Sequence, residues 1–178
     1  MPAPADTAHA ENALPAKAAI VAALRAALVA RLHGAQSAAA AAFAAATEEE
    51  ARAENKYDTR ALEQSYISAG HNARIATLRD AVAAVSFLVL PEARQSQVGP
   101  LALAEVEIAD HATVQRRWLF VLDVGVGEAV MVDGVEVHVC EVRAPLALAL
   151  RGRSADDVVV LPGRPGAEAR TVTVLRVV

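Results

Sequence analysis

At 178 residues, with 17 basic and 21 acidic side chains, the chain carries a formal charge of −4 and a pI near 5.7. That balance excludes a general nucleic-acid binder, which needs many Lys and Arg contacts to phosphate. The single Cys140 excludes an intramolecular disulfide and a multi-cysteine zinc site.

Hydrophobic residues reach 54% but aromatics only 3%. The apolar content is therefore largely alanine, which lets helices approach closely while each buried side chain contributes little. Residues 1–13 are acidic and proline-bearing, unlike the cationic start of a signal peptide, and read as a disordered leader. Helix one is expected to start near Asn12–Pro15, because proline suits a first helical turn. Leu14, Val21, Leu24, Leu28 and Leu32 form its coiled-coil-like seam. Gly34 costs roughly 1 kcal/mol relative to alanine, and the alanine block after it carries the helix on. The most apolar part, 18–32, is interrupted by Arg25 and Arg31 and is expected to fall short of a membrane span. A soluble, cytoplasmic protein with no membrane contact is the simplest reading.

Residues 59–85 read as a second helix, with Leu62, Tyr66, Ala69, Ala73, Leu78, Val82 and Val85 mostly three or four apart. Two helices joined by a few polar residues must fold back antiparallel. The stretch near 47–58 thus becomes a hairpin tip bearing Glu48, Glu49, Glu50, Glu54 and Asp58. Carboxylates there can ligate a hard cation such as Mg2+ when a partner completes the site. The alternative is a solvated turn in which Asp58 and Glu63 favour the start of helix two.

The hairpin spans 14–90, and 91–100, with two prolines and a glycine, is a linker. From 101 to 178 the texture is β-rich: apolar runs at 101–108 and 117–123, then a hairpin over 129–139 turning at Asp133-Gly134. A short helix is expected at Pro145–Leu150, stopped at Gly152, followed by strands at 158–161 and 171–178. The predicted class is α+β, an N-terminal antiparallel helical hairpin followed by a small antiparallel β domain with one short helix. His138 is expected on the open face of a strand, and Cys140 in the core rather than as a nucleophile. No phosphate-binding loop or nucleophile elbow is present. Arg151 and Arg153 flank Gly152 and present a positive patch, although a helix C-terminus favours Arg151 for its own reasons.

Two segments resemble the Gre-type (GreA/GreB) bacterial transcription elongation factors and their paralogues. The run 53–64, AENKYDTRALEQ, is similar to their post-tip segment, and 142–158, VRAPLALALRGRSADDV, to their C-terminal signature. The order of parts agrees over roughly 14–178. The resemblance implies an FKBP-like C-terminal domain docking at the rim of the RNA polymerase secondary channel, through Pro145, Leu146, Leu150, Arg151, Gly152 and Arg153. It implies a hairpin reaching down that channel, with Glu50 and Glu54 helping to hold Mg2+ jointly with the polymerase. A second metal stabilises both attacking and leaving oxygens in phosphodiester hydrolysis. The partner would be bacterial RNA polymerase, with indirect contact to the nascent RNA 3′ end; the factor would be a monomer and not itself an enzyme.

This sequence departs from the cleavage factors at the tip. They pair an Asp with a Glu three residues later, usually just after a glycine. Here Glu54 takes the Glu place, Ala51 the Asp place, Glu50 is one residue off, and the tip lacks glycine. A channel-binding regulator or inhibitor without cleavage activity is the rival within the family. Outside it stand a coiled-coil oligomerisation module using helix one, and a prolyl isomerase, which needs an aromatic-lined pocket that Trp118 and Phe120 alone would have to supply.

Overall fold

The structure, a computed structural model, describes residues 14–50, 60–110, 112–124, 127–163 and 169–178, with side chains described for all but 48–50 and 60–65. The expected leader and most of the expected tip lie outside the described residues. Helix α1 runs Lys17–Glu50 and α2 runs Arg60–Ser86, so α1 is about 50 Å long at 1.5 Å per residue. Gly34 does not interrupt it, as the flanking alanines lead one to expect. The helices are antiparallel: Arg25 Nε donates to Ser86 Oγ at 3.0 Å. Further out, Ala39, Ala42 and Phe43 line a small hollow with Ser68, His71 and Asn72.

Among the described residues, six strands follow, with one short helix among them: β1 Leu103–Ala109, β2 Val114–Leu122, β3 Ala129–Val132, β4 Val135–Glu141, α3 Pro145–Leu150, β5 Val158–Leu161 and β6 Arg170–Val177. They form one sheet in the order β3-β4-β2-β1-β6-β5. The expected β domain with one short helix is present, but the sheet is not wholly antiparallel, since β2 and β4 pair parallel. The β3–β4 turn is as expected, with Asp133 at φ 50° and Gly134 at φ 80°. Positive φ at both central residues matches the twist of the flanking strands.

The sheet is covered on both faces. On one, Leu103, Phe120, Val130 and Val137 join Ile20, Leu24 and Leu28 of α1 and Leu78 and Val85 of α2 in one core. On the other, Ala104, Val106, Leu119, Val121, Val172 and Val174 pack with Ala147 and Leu150 of α3. Double coverage explains why 118–122 is continuously apolar rather than alternating. It also moves the expected helix-one seam. Ile20 is fully buried, while Leu14 is 38% exposed, because the sheet as well as α2 lies against α1. Tyr66, expected in the α2 stripe, is 70% exposed. Among the described residues, none from 29 to 47 or from 66 to 74 is fully buried. Two alanine-rich helices without a third layer cannot enclose a side chain.

Four expectations need adjustment. By length and composition Lys17–Thr47 is long and apolar enough to cross a membrane, despite Arg25 and Arg31; in the structure the inner part of that helix packs on α2 and the sheet. That packing occupies the stripe a coiled-coil oligomer would need. Trp118 and Phe120 are buried on the hairpin side of the sheet, which removes them from any isomerase pocket beside α3. The stretch 91–100 is irregular yet held, with Lys17 Nζ donating to Gln95 Oε1 at 3.1 Å and Val98 buried.

Candidate functional site

The sequence points to two regions, the end of the hairpin and the neighbourhood of α3. At the first, α1 ends at Glu50. Glu48, Glu49 and Glu50 therefore occupy the last turn of a helix, which holds no basic residue. The macrodipole is negative there, so carboxylates oppose it. Capping of α2 does not account for these three. Glu54, with Ala51, lies outside the described residues. Among the described residues, no three His, Cys, Asp or Glu side chains gather to hold a metal ion.

At the second region, Pro145 opens α3 from an extended Ala144 (φ −64°, ψ 144°), as a residue lacking an N–H suits a first turn. Ala147 and Leu150 face the sheet core. Gly152 (φ +76°) ends the helix, and its N–H donates to Val98 O at 2.8 Å while Val98 N–H donates to Arg153 O at 2.8 Å. These reciprocal bonds clamp the end of α3 to the segment before β1. Asp157 Oδ2 accepts from Ser154 N–H at 2.8 Å, tightening the next turn. A cavity of about 230 Å³ opens between the two segments, lined by Val98, Pro100, Val121, Ala147 and Leu148 together with Arg143 and Arg151.

Of the six residues expected at a docking surface, Pro145, Arg151, Gly152 and Arg153 are exposed and Leu146 is half-buried. Leu150 is 1% exposed; it anchors the helix and offers nothing to a partner. Arg143, one of the basic residues that the sequence offers in this domain, and Leu148, which it does not single out, are exposed on the same surface. Leu148 sits two residues before Leu150, so helical geometry turns it away from the core, which is the signal that could have found it. The sheet-face arginines are engaged elsewhere. Arg116 pairs with Glu107 at 3.1 Å and Arg176 with Glu105 at 2.7 Å, and Arg176 also lies 5.2 Å from the Trp118 ring centre.

His138 is half-buried and 3.4 Å from Glu136, between buried Val137 and Val139. Cys140 packs at the edge of the α3-side core. Burial pushes its thiol above the ordinary range, a backbone hydrogen bond at Ala147 acts the other way, and the Glu141 charge adds to the rise. A raised thiol is a poor nucleophile. Burial likewise lowers the Lys17 ammonium.

No family profile and no curated protein matches the chain. Among solved structures, the fold is similar to the transcription factor Gfh1, at 20% identity and TM-score 0.36 over 87% of this chain and 93% of that one. It is similar to the GreA factor homolog Gfh1 of Thermus thermophilus, at 22% and 0.34 over 88% and 95%. It is also similar to a GreA/GreB elongation factor from Nitrosomonas europaea, at 19% and 0.33 over 56% and 78%. Identity and superposition at that level assign neither family nor activity to this chain.

Proposed function

We propose that the protein is an accessory factor of bacterial RNA polymerase that acts in the cytoplasm, inserts its helical hairpin into the secondary channel and promotes cleavage of backtracked transcripts. One observation carries the reading. Two helices packed on the sheet only at their base continue as a bare two-helix rod toward a run of glutamates at the disfavoured end of α1. Beyond Ala35, the last α1 residue packed on that core, the rod continues to Glu50 over roughly 22 Å. A slender rod with carboxylates at its far end suits delivery of negative charge into a narrow channel; it serves no evident purpose in stabilising the fold. The two quoted motifs, AENKYDTRALEQ and VRAPLALALRGRSADDV, support the same reading.

In this proposal Glu50 and Glu54 supply carboxylate oxygens to a Mg2+ that the polymerase also holds, and α3 with Arg151 and Arg153 docks the factor at the channel rim. An ion held there would supply electrostatic stabilisation of the attacking and leaving oxygens. The chain's own part is positioning: the sheet, on which the inner parts of α1 and α2 pack, fixes the base of the rod, and the rod fixes the depth of the tip. The test is release of short 3′ fragments from a halted, backtracked elongation complex at fixed Mg2+. The protein should accelerate it, and Glu54→Ala should abolish the acceleration while leaving polymerase affinity nearly intact. Equal loss of both would make Glu54 a docking contact.

A second reading, a channel-occupying regulator without cleavage activity, is favoured by Ala51 at the expected Asp place and by the absence of glycine at the tip. Competition with a known channel-binding factor, without acceleration, would select it.

A further inference from the structure

We infer that the cavity between α3 and the segment before β1 is a binding site for a small amphipathic acid, an apolar body of about ten non-hydrogen atoms carrying one carboxylate. Its most buried wall is apolar: Val98, Val121 and Ala147 are 2%, 4% and 4% exposed. At about 230 Å³ it exceeds the roughly 150 Å³ that admits a benzene ring. It falls below the range of about 300–1,000 Å³ that drug-sized ligands occupy. One ring or one branched chain fits.

Charge selects the ligand. Arg143 and Arg151 line the cavity, and among the described residues no carboxylate does. Arg31, Arg116 and Arg176 each pair with a glutamate, whereas among the described residues neither Arg143 nor Arg151 has an ion-pair partner. Two unanswered guanidiniums, in a chain of net charge −4, are open to a carboxylate in bidentate geometry. A neutral hydrocarbon would leave both unused, and an inorganic anion would leave the apolar wall wet. A carboxylate on an apolar body answers both. The wall is also fixed in advance. Leu101, which follows Pro100 of the lining, holds φ +64°, a backbone conformation that a side chain disfavours. Its N–H donates to Val121 O at 2.7 Å, and Val121 N–H donates to Ala102 O at 3.0 Å. With the Val98 bonds to Gly152 and Arg153, these hold both sides of the cavity, so a ligand has little to order on entry. A ligand of this size should bind with a dissociation constant on the order of 0.1–1 mM.

Heteronuclear NMR titration of the full chain with hydrocinnamate tests this, and because it needs no polymerase its outcome is independent of the function proposed above. Saturable shifts should centre on the amides of Val98, Gly99, Val121 and Ala147. Hydrocinnamide, the same shape without the charge, should bind about tenfold more weakly. Acetate, the charge without the apolar body, should not saturate up to about 10 mM. Arg143→Gln and Arg151→Gln should each weaken the acid severalfold and leave the amide unchanged. Both positions are exposed, and far-UV circular dichroism checks the fold; if a variant does not fold, the comparison of acid with amide decides alone. Shifts that do not saturate overturn the inference, as does an amide as tight as the acid or an acid indifferent to both arginines. So does a leucine-centred acidic peptide that saturates the cavity where hydrocinnamate does not, which makes it a protein-docking pocket instead.

Discussion

Arg31 of α1 forms an ion pair with Glu128, which lies just before β3. This pair ties the hairpin to the sheet near the last fully buried residue of α1, Leu28. Glu128 is the more enclosed partner, with its side chain 17% exposed against 39% for Arg31. Arg31→Ala should therefore cost about 1–3 kcal/mol by leaving a largely buried carboxylate short of a partner. Replacing both residues by Met should cost less than Arg31→Ala alone. Urea unfolding of the three variants measures the difference.

Leu24 and Phe43 lie on the same helix, one buried at 0% and the other 71% exposed. Leu24→Ala should destabilise by about 2–5 kcal/mol, because it opens the core shared by hairpin and sheet. Phe43→Ser should move stability by no more than about 0.5 kcal/mol. Thermal melts with a common baseline separate the two.

Arg151 and Arg153 are exposed, so Arg151→Glu with Arg153→Glu should leave the melting temperature within a few degrees of wild type. If these residues dock the proposed polymerase complex, the double reversal should weaken polymerase binding at least tenfold at low salt, with a smaller loss at high salt. Fluorescence anisotropy of labelled factor reads this, and unchanged affinity removes α3 from the docking surface.

Gly152 holds φ +76° and donates to Val98 O. A Cβ there meets nothing within 4 Å, so Gly152→Ala should cost only the backbone term, about 1–2 kcal/mol. Its functional effect should exceed that figure if the α3 clamp sets the docking surface. Comparing the loss of stability with the loss of polymerase affinity decides whether it does.

The raised thiol of Cys140 has a definite sign in pH. Below the ordinary thiol pKa the folded and unfolded states are both protonated and the group contributes nothing to pH dependence. As pH rises through that value the unfolded state ionises first, so stability falls with pH until the folded thiol ionises as well. Alkylation of the native protein by iodoacetamide at pH 8 should be slower than that of a free thiol, and urea should accelerate it. Cys140→Ser should flatten the alkaline limb of the stability profile.

The elements were legible in the sequence because local chemistry states them. Pro91 lies just beyond α2, alanine carries α1 across Gly34, and Asp133-Gly134 turns one hairpin. Strand partners are not local. Nothing in the spacing of 118–122 or 135–139 says that β2 and β4 run parallel, since periodicity reports a face and not a neighbour. The same reason hid Ile20, whose burial belongs to a core shared with strands that begin more than eighty residues away. At the candidate site, Pro145, Arg151 and Arg153 were legible as a motif. The cavity was not, because its far wall is Val98–Pro100, a segment that composition marks as a linker. Leu150 was misread as a contact because a motif names residues without saying which way they point.

β1 lies between β2 and β6, with Val106 opposite both Arg117 and Val174. During synthesis β2 arrives at once, but β6 follows some sixty residues behind β1, a delay of several seconds at the usual translation rates of about 5–20 residues per second. Throughout that interval the nascent sheet has a raw margin at its future centre, presenting Ala104, Val106 and Ile108 with unpaired amides. The finished molecule hides this strand, whereas the growing one advertises it to holding chaperones. A transcript truncated anywhere between β5 and β6 would yield a polypeptide in which that margin stays unpaired.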